Sequence, residues 1–108
     1  MDVPGPERRL AAVLAADMVG YSRLMEVDET GTLARLKTHR IELIDPAIAK
    51  NRGRIIKTTG DGLLVEFTSV VDALRCATEI QRGMAEGNSV VPAGGQIEFR
   101  IGIHQGDV

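Results

Sequence analysis

K-T-T-G-D-G-L-L-V-E-F, Lys57–Phe67, is the stretch from which the fold can be read. Gly60-Asp61-Gly62 divides two runs of strand-forming residues, Arg54–Thr59 and Leu63–Phe67, a strong hairpin signal. Upstream, Asn51-Arg52-Gly53 ends a helix, with Gly53 suited to a left-handed cap. That helix starts from Asp28 as N-cap and places Leu33, Leu36, Ile41, Ile44 and Ile48 near one stripe. Pro46 interrupts it, as a kink or as a restart with proline at the first position. Further upstream, Leu10–Ala16 is a continuous apolar run that suits a strand buried on both faces, although periodicity alone also allows a helix. Gly20 breaks it, and Ser22 can cap a short helix to about Glu26.

Downstream of the hairpin, Ser69 and Asp72 form a capping box. The helix they open is predicted to bury Val70, Ala73, Leu74, Ala77, Ile80 and Met84, with Gly83 weakening it and Gly87 ending it. Asn88–Gly95 reads as a loop. Gln96–His104 reads as a last strand, with Ile97, Phe99, Ile101 and Ile103 on one face. The order β-α-α-β-β-α-β is an α+β fold, a ferredoxin-like βαββαβ core with one extra helical element and helices covering an antiparallel sheet. Right-handed crossovers make the first strand parallel to the second, with the third antiparallel between them. The end of the first strand and the hairpin turn then share one edge of the sheet. Asp17 and Asp61, distant in sequence, are predicted to meet there.

Composition narrows the function. The 108 residues fit one domain, with Met1–Glu7 as a polar, proline-bearing lead-in and residues 8–108 as the folded part. Hydrophobic content of 44% and charged content of 26% are ordinary for a globular protein. A net charge of −2 with mixed signs offers no basic patch, so no nucleic-acid partner is expected. The single cysteine, Cys76, excludes an internal disulfide, fits a reducing compartment and is expected to pack as a small hydrophobe. Glu7-Arg8-Arg9 before an apolar run resembles the flank of a leader, but Asp2 and Glu7 lie in that flank and Asp17 cuts the run short. No cleaved leader is expected, no membrane span is visible, and the expected location is the cytoplasm.

Each candidate site residue has a plainer reading. An aspartate in a G-D-G turn is by itself more often structural, because both residue types suit hairpin geometry. Asp17 alone could be a turn residue. Two such aspartates brought to one sheet edge beside a glycine loop make a site for hard divalent cations and the phosphates they carry. Gly20-Tyr21-Ser22 adds backbone N–H groups at a helix start, a weak anion signal. Lys57, in the strand I-I-K-T-T, is either a snorkelling edge lysine or a donor to a bound base. His39 and the charges of Arg35, Lys37, Arg40 and Glu42 read as a solvated helix face, and His104 as a partly buried strand residue.

Three motifs in this order, R-R-L-A-A-V-L-A-A-D-M-V-G-Y-S-R-L-M, I-I-K-T-T-G-D-G-L-L-V-E-F and E-F-R-I-G-I-H-Q-G-D-V, resemble the catalytic domain of class III adenylate/guanylate cyclases from about Arg8 onward. The resemblance implies head-to-tail homodimers with active sites across the interface. It implies that Asp17 and Asp61, with the Met18 carbonyl, hold two Mg2+ or Mn2+ ions. One ion would acidify the ribose 3′-hydroxyl, and the other would hold the triphosphate of ATP as cyclic AMP and pyrophosphate form. Gly20, Tyr21 and Ser22 match the phosphate-contacting turn. Lys57 matches the adenine-selecting lysine, where guanylate-type members usually carry an acidic residue.

The family's second purine-selecting residue, its transition-state asparagine and arginine and a later phosphate lysine lie on elements after the strand ending near His104. The 108 residues do not include them. The expectation is therefore the N-terminal part of an adenylate cyclase domain, inactive by itself, with a catalytically silent nucleotide-, metal- or partner-binding module as the alternative. A diguanylate cyclase shares the palm-like core, but G-D-G-L-L stands where its G-G-[DE]-E-F hairpin would be.

Overall fold

The computed structural model describes residues 10–107, so the lead-in expected over Met1–Glu7 and the start of the folded part at Arg8 lie outside the described residues. The elements run β1 (Leu10–Met18), α1 (Tyr21–Val27), α2 (Glu29–His39), a π-helical turn (Arg40–Ile44), α3 (Asp45–Lys50), β2 (Arg54–Thr58), β3 (Gly62–Phe67), α4 (Val70–Asn88), a short 3-10 turn (Ala93–Gly95) and β4 (Phe99–Asp107). The sheet order is β2-β3-β1-β4, with every neighbouring pair antiparallel. This is the α+β, ferredoxin-like arrangement expected from the sequence, with β1 parallel to β2 across β3.

Alternation along the strands gives the sheet two unlike faces. Leu14, Ala16 and Met18 of β1 and Leu63, Val65 and Phe67 of β3 point into the core beneath the helices. Leu14 and Val65 lie opposite each other in the register and are fully buried. Among the described residues the other face carries no helix, and there Ala15 and Leu64 are exposed side by side.

The helix-side packing differs from expectation in instructive places. Residues 73, 76, 80 and 84 form the buried stripe of α4, so Cys76 occupies the place expected for Leu74, which is 53% exposed. Cys76 does pack as a small hydrophobe, and burial, aided by Glu79, pushes its thiol up to about 11. Leu33 and Ile41 lie largely outside the core, and the helix widens into the π turn over Arg40–Ile44. Asp45 N–H donates five residues back to the Arg40 carbonyl there, and Pro46 then sits in the first turn of the restarted α3.

Arg52, rather than Gly53, takes the left-handed conformation after α3, at φ 63°. Its guanidinium forks onto Asp72, with Nη2 3.0 Å from Oδ2 and 3.2 Å from Oδ1, tying the end of α3 to the start of α4. Gly53 is needed for space instead. A Cβ there would stand 2.6 Å from the Phe67 ring.

Ser69 Oγ accepts from the N–H groups of Val71 and Asp72, as the capping pattern requires, and α4 runs through Gly83 and Gly87 to Asn88. The end at Asn88 falls one residue past Gly87, and the missing side chain of Gly83 makes room for Leu43. Gly20, not Ser22, is the N-cap of α1, at φ 66°. Two further residues depart from expectation: His39 is half-buried, and His104 is exposed.

Candidate active site

Asp17 is the next-to-last residue of β1 and pairs directly with Gly62, the residue after the Gly60-Asp61 turn. That turn is tight: Thr59 N–H donates to the Gly62 carbonyl at 2.8 Å, and Gly62 N–H donates to Thr59 Oγ1 at 3.1 Å. Gly62 must be small, since a Cβ would come 2.9 Å from the Ala16 carbonyl oxygen. Close approach of two backbones therefore carries Asp61 to the end of the strand that bears Asp17. Both aspartates line one cavity of about 570 Å3, together with Lys57, Thr59, Leu64 and Arg100.

Lys57 reaches this cavity because of a bulge. Ile55 pairs with Val65, yet Lys57 pairs with Leu64, which leaves Ile56 as an extra residue in β2. In an unbulged ladder Ile56 would pair with Leu64, and Lys57 would fall opposite Leu63 and face the helices. With the bulge, Lys57 shares the open face with Leu64, Ala15 and Gly102, one pleat away from Asp17.

Arg100 is the residue that sequence reasoning missed. It lies opposite Asp17 in the β1–β4 register. Its Nε donates to Oδ1 at 3.0 Å and its Nη2 to Oδ2 at 3.3 Å. The hydrogen bonds and charge of Asp17, with a further contribution from Asp61, raise the guanidinium pKa. The available signal was an arginine in an apolar strand, on the face opposite Phe99 and Ile101. Its meaning depends on a long-range register that local pattern does not reveal.

The remaining predicted residues divide. Met18 buries its side chain in the core, so only its backbone is left for a ligand role. Gly20, Tyr21 and Ser22 stand outside the lining of the cavity. Their turn nonetheless lies beside the hairpin, because a Cβ added at Gly60 would stand 3.3 Å from the Tyr21 hydroxyl. A second, smaller cavity lies against the other side of the Asp61 turn, lined by Leu36, Lys37, Arg40 and Asp45 among others.

The pocket thus gathers two carboxylates, Asp17 and Asp61, and two basic side chains, Lys57 and Arg100, and comparison with known proteins gives the family of the chain. Residues 6–108 match the family of the adenylate and guanylate cyclase catalytic domain, and the chain belongs to that family. A Rhizobium meliloti (strain 1021) protein, provisionally named an adenylate cyclase, is 48% identical over 101 residues, which cover 94% of this chain and 17% of that protein. The crystal structure of an adenylate/guanylate cyclase/hydrolase from Silicibacter pomeroyi is 57% identical with a TM-score of 0.86, over 94% of this chain and 59% of that one. The guanylyl cyclase Cya2 is 29% identical with a TM-score of 0.76, over 96% of this chain and 57% of that one. The chain thus spans a small part of its curated relative and under two thirds of either structure. Among the described residues, no helix is long and apolar enough to cross a membrane.

Proposed function

We propose that these residues form the N-terminal part of an adenylate cyclase catalytic domain that converts ATP to cyclic AMP and pyrophosphate with two Mg2+ or Mn2+ ions. The observation that carries the reading is the convergence of Asp17, Asp61 and Lys57 on one cavity from two different strands and a turn.

The donor set fits a magnesium-type cation. Among the described residues no three His, Cys, Asp or Glu side chains gather in one place, so a site built from protein side chains alone is not on offer. Mg2+ is commonly bound by one or two carboxylates and completed by water and substrate phosphates. Asp17 and Asp61 would supply the carboxylates, and the Met18 carbonyl a further oxygen. Bound there, the ions supply Lewis acidity toward the ribose 3′-hydroxyl and offset charge on the departing pyrophosphate.

The chain's own residues do the positioning. The paired backbones at Gly62 fix the spacing of the two carboxylates. Gly20-Tyr21-Ser22, with Tyr21 beside the hairpin, would present backbone N–H groups to the triphosphate. Lys57, turned to the open face by the bulge, would donate to the adenine edge, with the base held across the interface with a second copy placed head to tail. A lysine rather than an acidic residue at this position favours ATP over GTP.

The test is metal-dependent nucleotide binding. Calorimetric titration of ATP in the presence of Mn2+ should give saturable binding that Asp61→Asn abolishes. Equal affinity in the two proteins would remove Asp61 from the site. In a complete catalytic domain, binding without cyclic AMP formation above an Asp17→Ala control would identify a silent binding module.

A further inference from the structure

The pairing of Arg100 with Asp17 has a consequence for how a cation enters. Both carboxylate oxygens of Asp17 accept hydrogen bonds from one planar fork, and these are the oxygens a divalent ion would take. The pair is set by strand register, since the two residues face each other across the β1–β4 ladder. It is also loosely held. Arg100 keeps 71% of its side chain exposed, and Asp17 keeps 48%. On the same face, the next residue of β4 is Gly102, where an added Cβ would meet nothing within 4 Å, so the guanidinium has free space beside it along the sheet.

We propose that Arg100 is a latch on the empty site: it neutralises Asp17 when no metal is present and must swing off the carboxylate before a divalent cation enters. This rests on the reading of Asp17 as a metal ligand. Metal entry is then an exchange of one cation for another. Apparent metal affinity is set by the latch as well as by the two carboxylates. Asp61 lies within electrostatic reach of the same guanidinium.

The experiment is Mn2+ binding to the 108-residue chain, followed by the loss of the free-ion paramagnetic resonance signal, for wild type, Arg100→Gln, Arg100→Lys and Asp17→Asn. Arg100→Gln removes both the fork and a like charge a few ångströms from the ion, and should tighten Mn2+ binding about tenfold. Arg100→Lys keeps the charge but cannot form the fork, and should tighten binding about two- to threefold. Asp17→Asn should abolish binding. Unchanged or weaker affinity in Arg100→Gln, with Asp17→Asn still abolishing binding, overturns the latch and leaves the metal site standing. Arg100→Lys binding as wild type while Arg100→Gln binds tighter also overturns it, because charge alone would explain the gain. Equal Mn2+ binding by wild type and Asp17→Asn would remove Asp17 as a ligand, and the latch with it.

Discussion

Gly62→Ala is the perturbation that separates the geometry of the site from its chemistry, since it alters no ligand. Gly62 is not in the left-handed region, so alanine carries no backbone strain there, and its cost comes from contact alone. The added Cβ would lie 2.9 Å from the Ala16 carbonyl oxygen, 3.1 Å from Thr59 Oγ1 and 3.6 Å from Asp17 Cβ. The first contact is with backbone at the centre of the sheet, which cannot rotate away. Strands β1 and β3 must therefore part by a few tenths of an ångström at the pair that sets the distance between the two aspartates. Overpacking of this kind costs about 1–3 kcal/mol. For a domain of this size that corresponds to a fall in Tm of roughly 5–15 °C. Because constellations of this type must be held to about 0.5 Å, Mn2+ affinity should fall roughly tenfold even at temperatures where the protein is fully folded. The assay is thermal denaturation followed by circular dichroism, paired with Mn2+ titration well below the variant's Tm. A Tm within about 1 °C of wild type with unchanged Mn2+ affinity would refute the claim that close backbone approach at Gly62 builds the site.

Three other substitutions or conditions test different links. Lys57→Glu in a complete catalytic domain should lower the ATP-to-GTP preference by about tenfold, the size expected for exchanging a charged hydrogen-bond donor for an acceptor, and an unaltered ratio in a competition assay would return Lys57 to an edge lysine. Cys76, buried and with its thiol pushed up to about 11, should react with a disulfide reagent only as fast as the protein opens, so prompt labelling of the native protein at neutral pH would contradict its placement under α4. Burial holds His39 below its ordinary range, with Glu42 opposing and Arg35 adding to the effect. Between the folded value and the ordinary value near about 6.5, the unfolded chain binds more protons, so stability is complete above that pH and erodes as pH falls through it. Urea midpoints should therefore drop on acidification by less in His39→Gln than in wild type, and identical drops would show that His39 contributes nothing.

What could be read in advance was what depends on local pattern. The G-D-G hairpin, the Asp28 and Ser69 caps and the alternation of β4 are short-range signals, and topology rules sufficed to bring Asp17 and Asp61 to one edge. The bulge at Ile56 was not legible, because I-I-K-T-T is equally good strand with or without an extra residue. The same holds for Arg100, whose partner is chosen by the pairing of β1 with β4. Gly53 was read through the habit of glycine at helix ends, whereas the ring of Phe67 fills the space and Arg52, held by Asp72, accepts the left-handed turn. Leu74 fitted the helical stripe as well as Cys76 did, and only the direction from which the sheet approaches α4 decides between them.

Crystals of the protein soaked in Mn2+ and measured at the manganese absorption edge would locate the ion without reference to activity. An anomalous peak at about 2.1–2.3 Å from carboxylate oxygens of both Asp17 and Asp61, with Arg100 turned away from Asp17, is the expected result. A peak bound elsewhere, or one ligated by neither aspartate, would contradict the metal site and the nucleotide chemistry built on it.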